Sequence, residues 1–144
     1  IQWITGYSKI AAEQNREVFK GVTRYKKIVS HLPISFMYSE NFISQPSTFF
    51  RRKLFNDVGG LNENLHFCMD YDLWLKFLKK SKPKILRKNL SLFRRYNESK
   101  SGSSYVTQFK EQYAVARTYT KNVFLLLLHR LQNLKTIIIY KFIS

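Results

Sequence analysis

The sequence is short of acids and cysteine: among 144 residues there are nine Asp and Glu and one cysteine, Cys68. A single cysteine excludes a disulfide within the chain and any Cys-rich zinc site, so a reducing, cytoplasmic setting is expected. The three histidines, His31, His66 and His129, show no metal-ligand spacing. No run reaches the roughly 18 apolar residues of a membrane-spanning helix. Residues 1–5 read as a strand rather than a secretory signal, and the chain is expected to be a piece of something longer. Disorder is not expected either, because hydrophobic residues make up 44% and aromatics 16%.

What is abundant is positive charge. Lys and Arg number 25, giving a formal net charge of +16. Such an excess suits nucleic acid, an anionic membrane or a phosphorylated substrate, and equally a solvated basic surface. From 76 to 100, ten basic residues stand against one acid, Glu98. A nucleic-acid groove would interleave aromatic platforms with such charges. Phe77, Phe93 and Tyr96 are explained more simply as core and strand residues, so nucleic acid is not the expected partner.

Periodicity predicts an α/β chain with short strands feeding helices. A strand over residues 1–10 is expected to break at Gly6, and 12–30 to be loop with short helical pieces. Pro33 is placed to open a short helix through Glu40. A strand is expected over 47–52, then a helical turn or two stopped by Gly59 and Gly60. Leu73, Trp74, Phe77 and Leu78 share one face of a helix over 71–80. Two strands, "KPKILRK" and "NLSLFRR", should follow. The remainder reads as helix, with Tyr105, Phe109, Ala116, Val123 and Leu127 on one stripe if it is continuous. The stripe then runs on through Leu131, Leu134, Ile138 and Phe142.

"HFCMDYDLWLKF" sets two carboxylates in an apolar run. Asp70, at the predicted helix start, is either a cap for free N–H groups or a general base made more basic by partial desolvation. Asp72 falls in the first turn, where negative charge suits the helix dipole. Gln45 and Ser47 in "QPSTFF" either offer hydrogen bonds to a sugar or sit in a buried strand. Arg51 and Arg52 are phosphate contacts or ordinary surface arginines.

"FISQPSTFFRRKLFNDVGGLNENLHFCMDYDLWLKF" resembles the second half of a family 2 glycosyltransferase of the GT-A fold. Several motifs stand in that family's order, and the similarity extends from "WITGY" to "LSLFRRYNESKS". The resemblance implies an acceptor-side GT-A portion over 1–104; beyond it, the residue pattern of 105–144 reads as a helical segment suited to a membrane surface. It also implies inverting transfer of a sugar from a nucleotide diphosphate sugar to a glycan or lipid-linked acceptor, in bacterial surface-polysaccharide synthesis.

By the same resemblance Asp70 is the catalytic base, and Asp72 supports it. Met69 stands where many relatives carry glutamate. Gln45, Ser47 and Trp74 belong on the acceptor side; Arg94, Tyr96 and Ser99, with Ser101, belong beside the donor diphosphate. Tyr96 replaces an expected histidine. The family's divalent metal, Mg or Mn, is held by an Asp-x-Asp upstream of the "WITGY" region, and this sequence does not supply it. Its only aspartates, Asp57, Asp70 and Asp72, all lie downstream.

Arg130, Lys135 and Lys141 flank the last stripe, as in an interfacial helix whose basic side chains snorkel. A helix packed on another domain fits the same pattern. The expected location is cytoplasmic and peripheral at the inner face of the cell membrane. The alternative from another class is a non-enzymatic basic module binding nucleic acid or anionic lipid.

Overall fold

A computed structural model describes residues 1–12, 16–94 and 105–143, without the side chains of 105 and 139–143. Strand β1 (Trp3–Ala11) organises the sheet. At one edge it pairs antiparallel with β3 (Thr48–Phe50) through Trp3–Thr5, and with the two-residue β2 (Glu17–Val18) through Ile10 and Ala11. Along the other edge β4 (Lys84–Arg94) runs parallel to it. The result is a small open mixed sheet with helices, an α/β fold.

Gly6 does not end β1. The strand bulges there, with register shifts on both sides of Tyr7. The absent side chain lets the backbone of β4 come close: a Cβ on Gly6 would lie 2.6 Å from Leu90 Cγ and 3.0 Å from the Lys88 carbonyl oxygen. The two strands expected after residue 81 are one. Parallel pairing continues past the polar Arg87-Lys88-Asn89 stretch, whose side chains are exposed and need no burial.

Within the region read as loop, Lys20–Val29 forms α1, a ten-residue helix burying Thr23 and Val29. A 3-10 turn, Ile34–Tyr38, follows Pro33. The strand expected over 47–52 is shorter, because Gln45–Ser47 forms another 3-10 turn and Arg52–Asp57 is already helix α2. Gly59 and Gly60, at φ 78° and 69°, end that segment in left-handed geometry.

Helix α3 (Met69–Lys80) supplies most of the core. Tyr71, Leu73, Trp74, Leu75 and Phe77 are all buried. Trp74 stacks on Trp3 with ring centres 5.8 Å apart, and Phe77 meets Trp3 edge-on at 5.3 Å. Trp3 Nε1 donates to the Ser81 carbonyl at 3.0 Å, fixing the exit of α3 against β1.

The last part of the chain is two helices, α4 (Tyr105–Tyr119) and α5 (Val123–Ile143), not a continuous one. Asn122 Oδ1 accepts from the Leu125 N–H at 3.1 Å and caps the second. The break divides the expected stripe: Ala116 is fully buried, whereas Val123 is 78% exposed. The pair folds back on itself, with Asn133 Nδ2 donating to the Phe109 carbonyl at 3.0 Å. Both helices join the rest of the fold. Val115 and Ala116 belong to the main core, and buried His129 bonds the Tyr38 carbonyl through Nδ1 at 2.9 Å.

Candidate active site

The start of α3 has no capping side chain of its own, since Cys68 occupies the cap position without a side-chain bond. The free N–H groups before it turn instead to Glu111 of α4. Its carboxylate accepts from His66 and Phe67 at 2.6 Å each and from Cys68 at 3.0 Å. Burial acts to raise the Glu111 carboxyl, and these three bonds outweigh it, holding the group below the ordinary glutamate value. Nothing in the sequence pattern links Glu111 to a loop so far upstream.

Asp70 lies inside the first turn of α3, one correction to the expectation that it precedes the helix. It does not cap in the usual way. Its Oδ1 accepts from the adjacent Tyr71 N–H at 2.8 Å. The carboxylate is half-buried and lines a cavity of about 690 Å³. Desolvation raises its pKa above the ordinary aspartate value, against the lowering effects of the Tyr71 N–H and the Lys26 charge. A carboxylate so placed is a better proton acceptor near neutral pH than one in water.

Gln45 reaches the same cavity from the turn before β3. Lys26 of α1 and Glu40 line it too. Burial lowers the Lys26 pKa, opposed by the charges of Glu40 and Asp70. Tyr25 donates to Glu40 at 2.6 Å, and burial followed by this bond raises the phenol well above its ordinary value. Helix α5 closes another side with Gln132, Asn133 and Thr136. Sequence reasoning missed Lys26 and Glu40. Lys26 stood in a basic run and Glu40 at the end of a short helix, neither with a distinguishing pattern.

The other expected site residues lie elsewhere. Asp72 is 4% exposed; its Oδ1 accepts from Tyr119 at 2.6 Å and its Oδ2 lies 2.9 Å from Lys76 Nζ. It therefore supports the fold rather than facing solvent. Ser47 is fully buried and does not line the cavity; its Oγ bonds the Tyr7 carbonyl at 2.8 Å and Ser91 Oγ at 2.6 Å, tying the turn before β3 to β1 and β4. Trp74 is likewise in the aromatic core and away from the cavity. Arg94 ends β4, exposed, beside the cavity-lining Phe93. Tyr96, Ser99 and Ser101 lie outside the described residues. Arg51 is exposed and donates to the Ile1 carbonyl at 3.0 Å.

Among the described residues no three His, Cys, Asp or Glu side chains gather to hold a metal ion. The described residues therefore gather no site of the kind Mg or Mn takes. Among them, too, no helix is long and apolar enough to cross a membrane. Comparison with protein-family models, with curated proteins and with solved structures returns no match to this chain.

Proposed function

We propose that the chain is the acceptor-side portion of an inverting, GT-A family 2 glycosyltransferase, with Asp70 as its general base. One observation supports this above the others: Asp70, desolvated and held at the start of α3, shares a large cavity with Gln45. In this reading an acceptor sugar enters the cavity and Gln45 hydrogen-bonds one of its hydroxyls. Asp70 takes the proton from the reacting hydroxyl as its oxygen attacks the anomeric carbon of a nucleotide diphosphate sugar. The bond from that carbon to the diphosphate breaks on the opposite face, which inverts the centre. Lys26 lines the same cavity, and its charge pulls the Asp70 pKa down against burial. Arg94, Tyr96 and Ser99 belong to the donor side in this reading. The divalent ion, Mg or Mn, belongs to the whole enzyme and is held by other residues; no step assigned to this chain passes through it.

The setting that goes with this reading is cytoplasmic and peripheral at the inner face of the membrane. The rival is a non-enzymatic basic module for nucleic acid or anionic lipid, and the exposed apolar face of α5 favours only its lipid form.

Asp70→Asn in the full-length protein tests the proposal. Asparagine keeps an oxygen for the Tyr71 N–H but cannot take a proton. Release of nucleoside diphosphate from a panel of UDP- and GDP-sugars with Mn²⁺ should fall by about 10² to 10⁴. Donor affinity and melting temperature should hardly change. Turnover within a few-fold of the parent's would refute Asp70 as base.

A further inference from the structure

Helix α5 has two opposite faces, and both are occupied by side chains that point to a use. On one, Gln132, Asn133 and Thr136 line the cavity that holds Asp70. Half a turn away, Val123, Phe124, Leu127, Leu131, Leu134 and Ile138 form an apolar stripe. These six are between 45% (Ile138) and 78% (Val123) exposed. A contiguous exposed stripe of this kind marks an interaction surface.

Charge identifies what fits it. The helix contains no acid. Arg130 flanks one border of the stripe, 5.3 Å from the centre of the Tyr113 ring, and Arg117 approaches the same ring at 5.9 Å. Lys135 flanks the other border over the Tyr25 ring at 5.0 Å. Arg117, Arg130 and Lys135 are nonetheless exposed. The only acid on α4 or α5 is Glu111, whose carboxylate is taken by the three N–H groups before α3. An apolar stripe bordered on both sides by exposed cations, with no free carboxylate, matches an anionic bilayer surface. A protein groove would more often answer the cations with acids at defined points, and DNA offers nothing to an apolar stripe.

We propose that α5 docks on an anionic membrane through this stripe and, being also a wall of the cavity, holds the Asp70 site about one helix diameter, roughly 10 Å, from the lipid headgroups. An acceptor whose lipid tail stays in the bilayer can then present its sugar to the cavity. The docking stands by itself; the lipid-linked acceptor rests on the transferase reading above.

Leu131→Trp in the otherwise intact protein gives the readout. Trp3 and Trp74 are buried in the core, so their emission should stay constant. With vesicles of phosphatidylcholine and phosphatidylglycerol the new tryptophan should shift to the blue. Pure phosphatidylcholine or added NaCl should weaken the response. Leu127→Glu/Leu131→Glu, changed at two exposed positions and so compatible with folding, should bind these vesicles at least about tenfold more weakly. Undiminished vesicle binding by that double variant overturns the proposal. So does dimerisation of the parent that the double variant abolishes, or preference for duplex DNA over vesicles at physiological salt. If parent and Asp70→Asn both bind vesicles but the parent transfers no sugar, the transferase reading fails and the docking stands. If vesicles bind yet leave an active parent's turnover unchanged, the link from membrane to cavity fails.

Discussion

Tyr119 Oη donates to Asp72 Oδ1 across 2.6 Å, joining the last turn of α4 to the first turn of α3. The carboxylate it meets is almost wholly out of water, with Lys76 2.9 Å from its other oxygen. The burial of an acid in an apolar helix is explained by these two partners, one from its own helix and one from another.

Tyr119→Phe keeps the ring and removes the donor. A buried carboxylate losing one of its partners should cost about 1–3 kcal/mol. Urea unfolding should show a lower midpoint with an unchanged slope. An unmoved midpoint would mean that water replaces the hydroxyl without loss.

Glu111→Gln addresses the clasp before α3. Glutamine retains one acceptor oxygen but not the charge, so about 1–2 kcal/mol should go at neutral pH. The folded carboxyl sits below its unfolded value, because the His66, Phe67 and Cys68 N–H bonds outweigh burial. Its contribution is therefore complete above the unfolded value of roughly 4.3 and is lost as pH falls through the folded value. Stability measured from neutral pH down to below 4 should drop more steeply for the parent than for Glu111→Gln. Parallel curves would remove Glu111 from the account.

Gly6→Ala should destabilise by about 1–3 kcal/mol, since its methyl group would press on Leu90 and the Lys88 carbonyl. In a Leu90→Ala background the same change should cost less, as the side-chain part of the clash is gone. Equal losses in both backgrounds would place the strain in the backbone contact alone.

How much of this was legible in the sequence depends on how local each feature is. Helix α3 was readable because Leu73, Trp74 and Phe77 repeat at helical spacing, and the end of α2 because Gly59 and Gly60 adopt left-handed geometry. β4 was divided in the reading because its polar middle resembles a turn; pairing along β1 overrides that local preference. Over 12–30 only short helical pieces are expected, because the apolar residues of α1, Val22, Tyr25, Ile28 and Val29, keep helical spacing but stand in a basic, polar run. The break before α5 has its signal in Asn122, a good capping residue within the stretch read as helix. Asp70 and Gln45 are singled out by motif, and both line the cavity. Trp74 and Ser47 belong to the same motifs but face the core, and a motif does not say which way its members point. Lys26 and Glu111 reach α3 and its approach only through the folded chain.

The pairing of β1 with β4 also bears on how the chain acquires its structure. Thr5 meets Ile85 in that ladder, so the first of the described strands is completed by the last of them. Until then its long edge lies open, covered only at its two ends on the other side by β2 and β3. Such distant closure slows folding and leaves a growing chain with an unpaired edge that other chains can join. α1 and α3, both formed from local sequence, are made in the interval and can collapse on Trp3 first. The sheet is then sealed only after these two helices have formed.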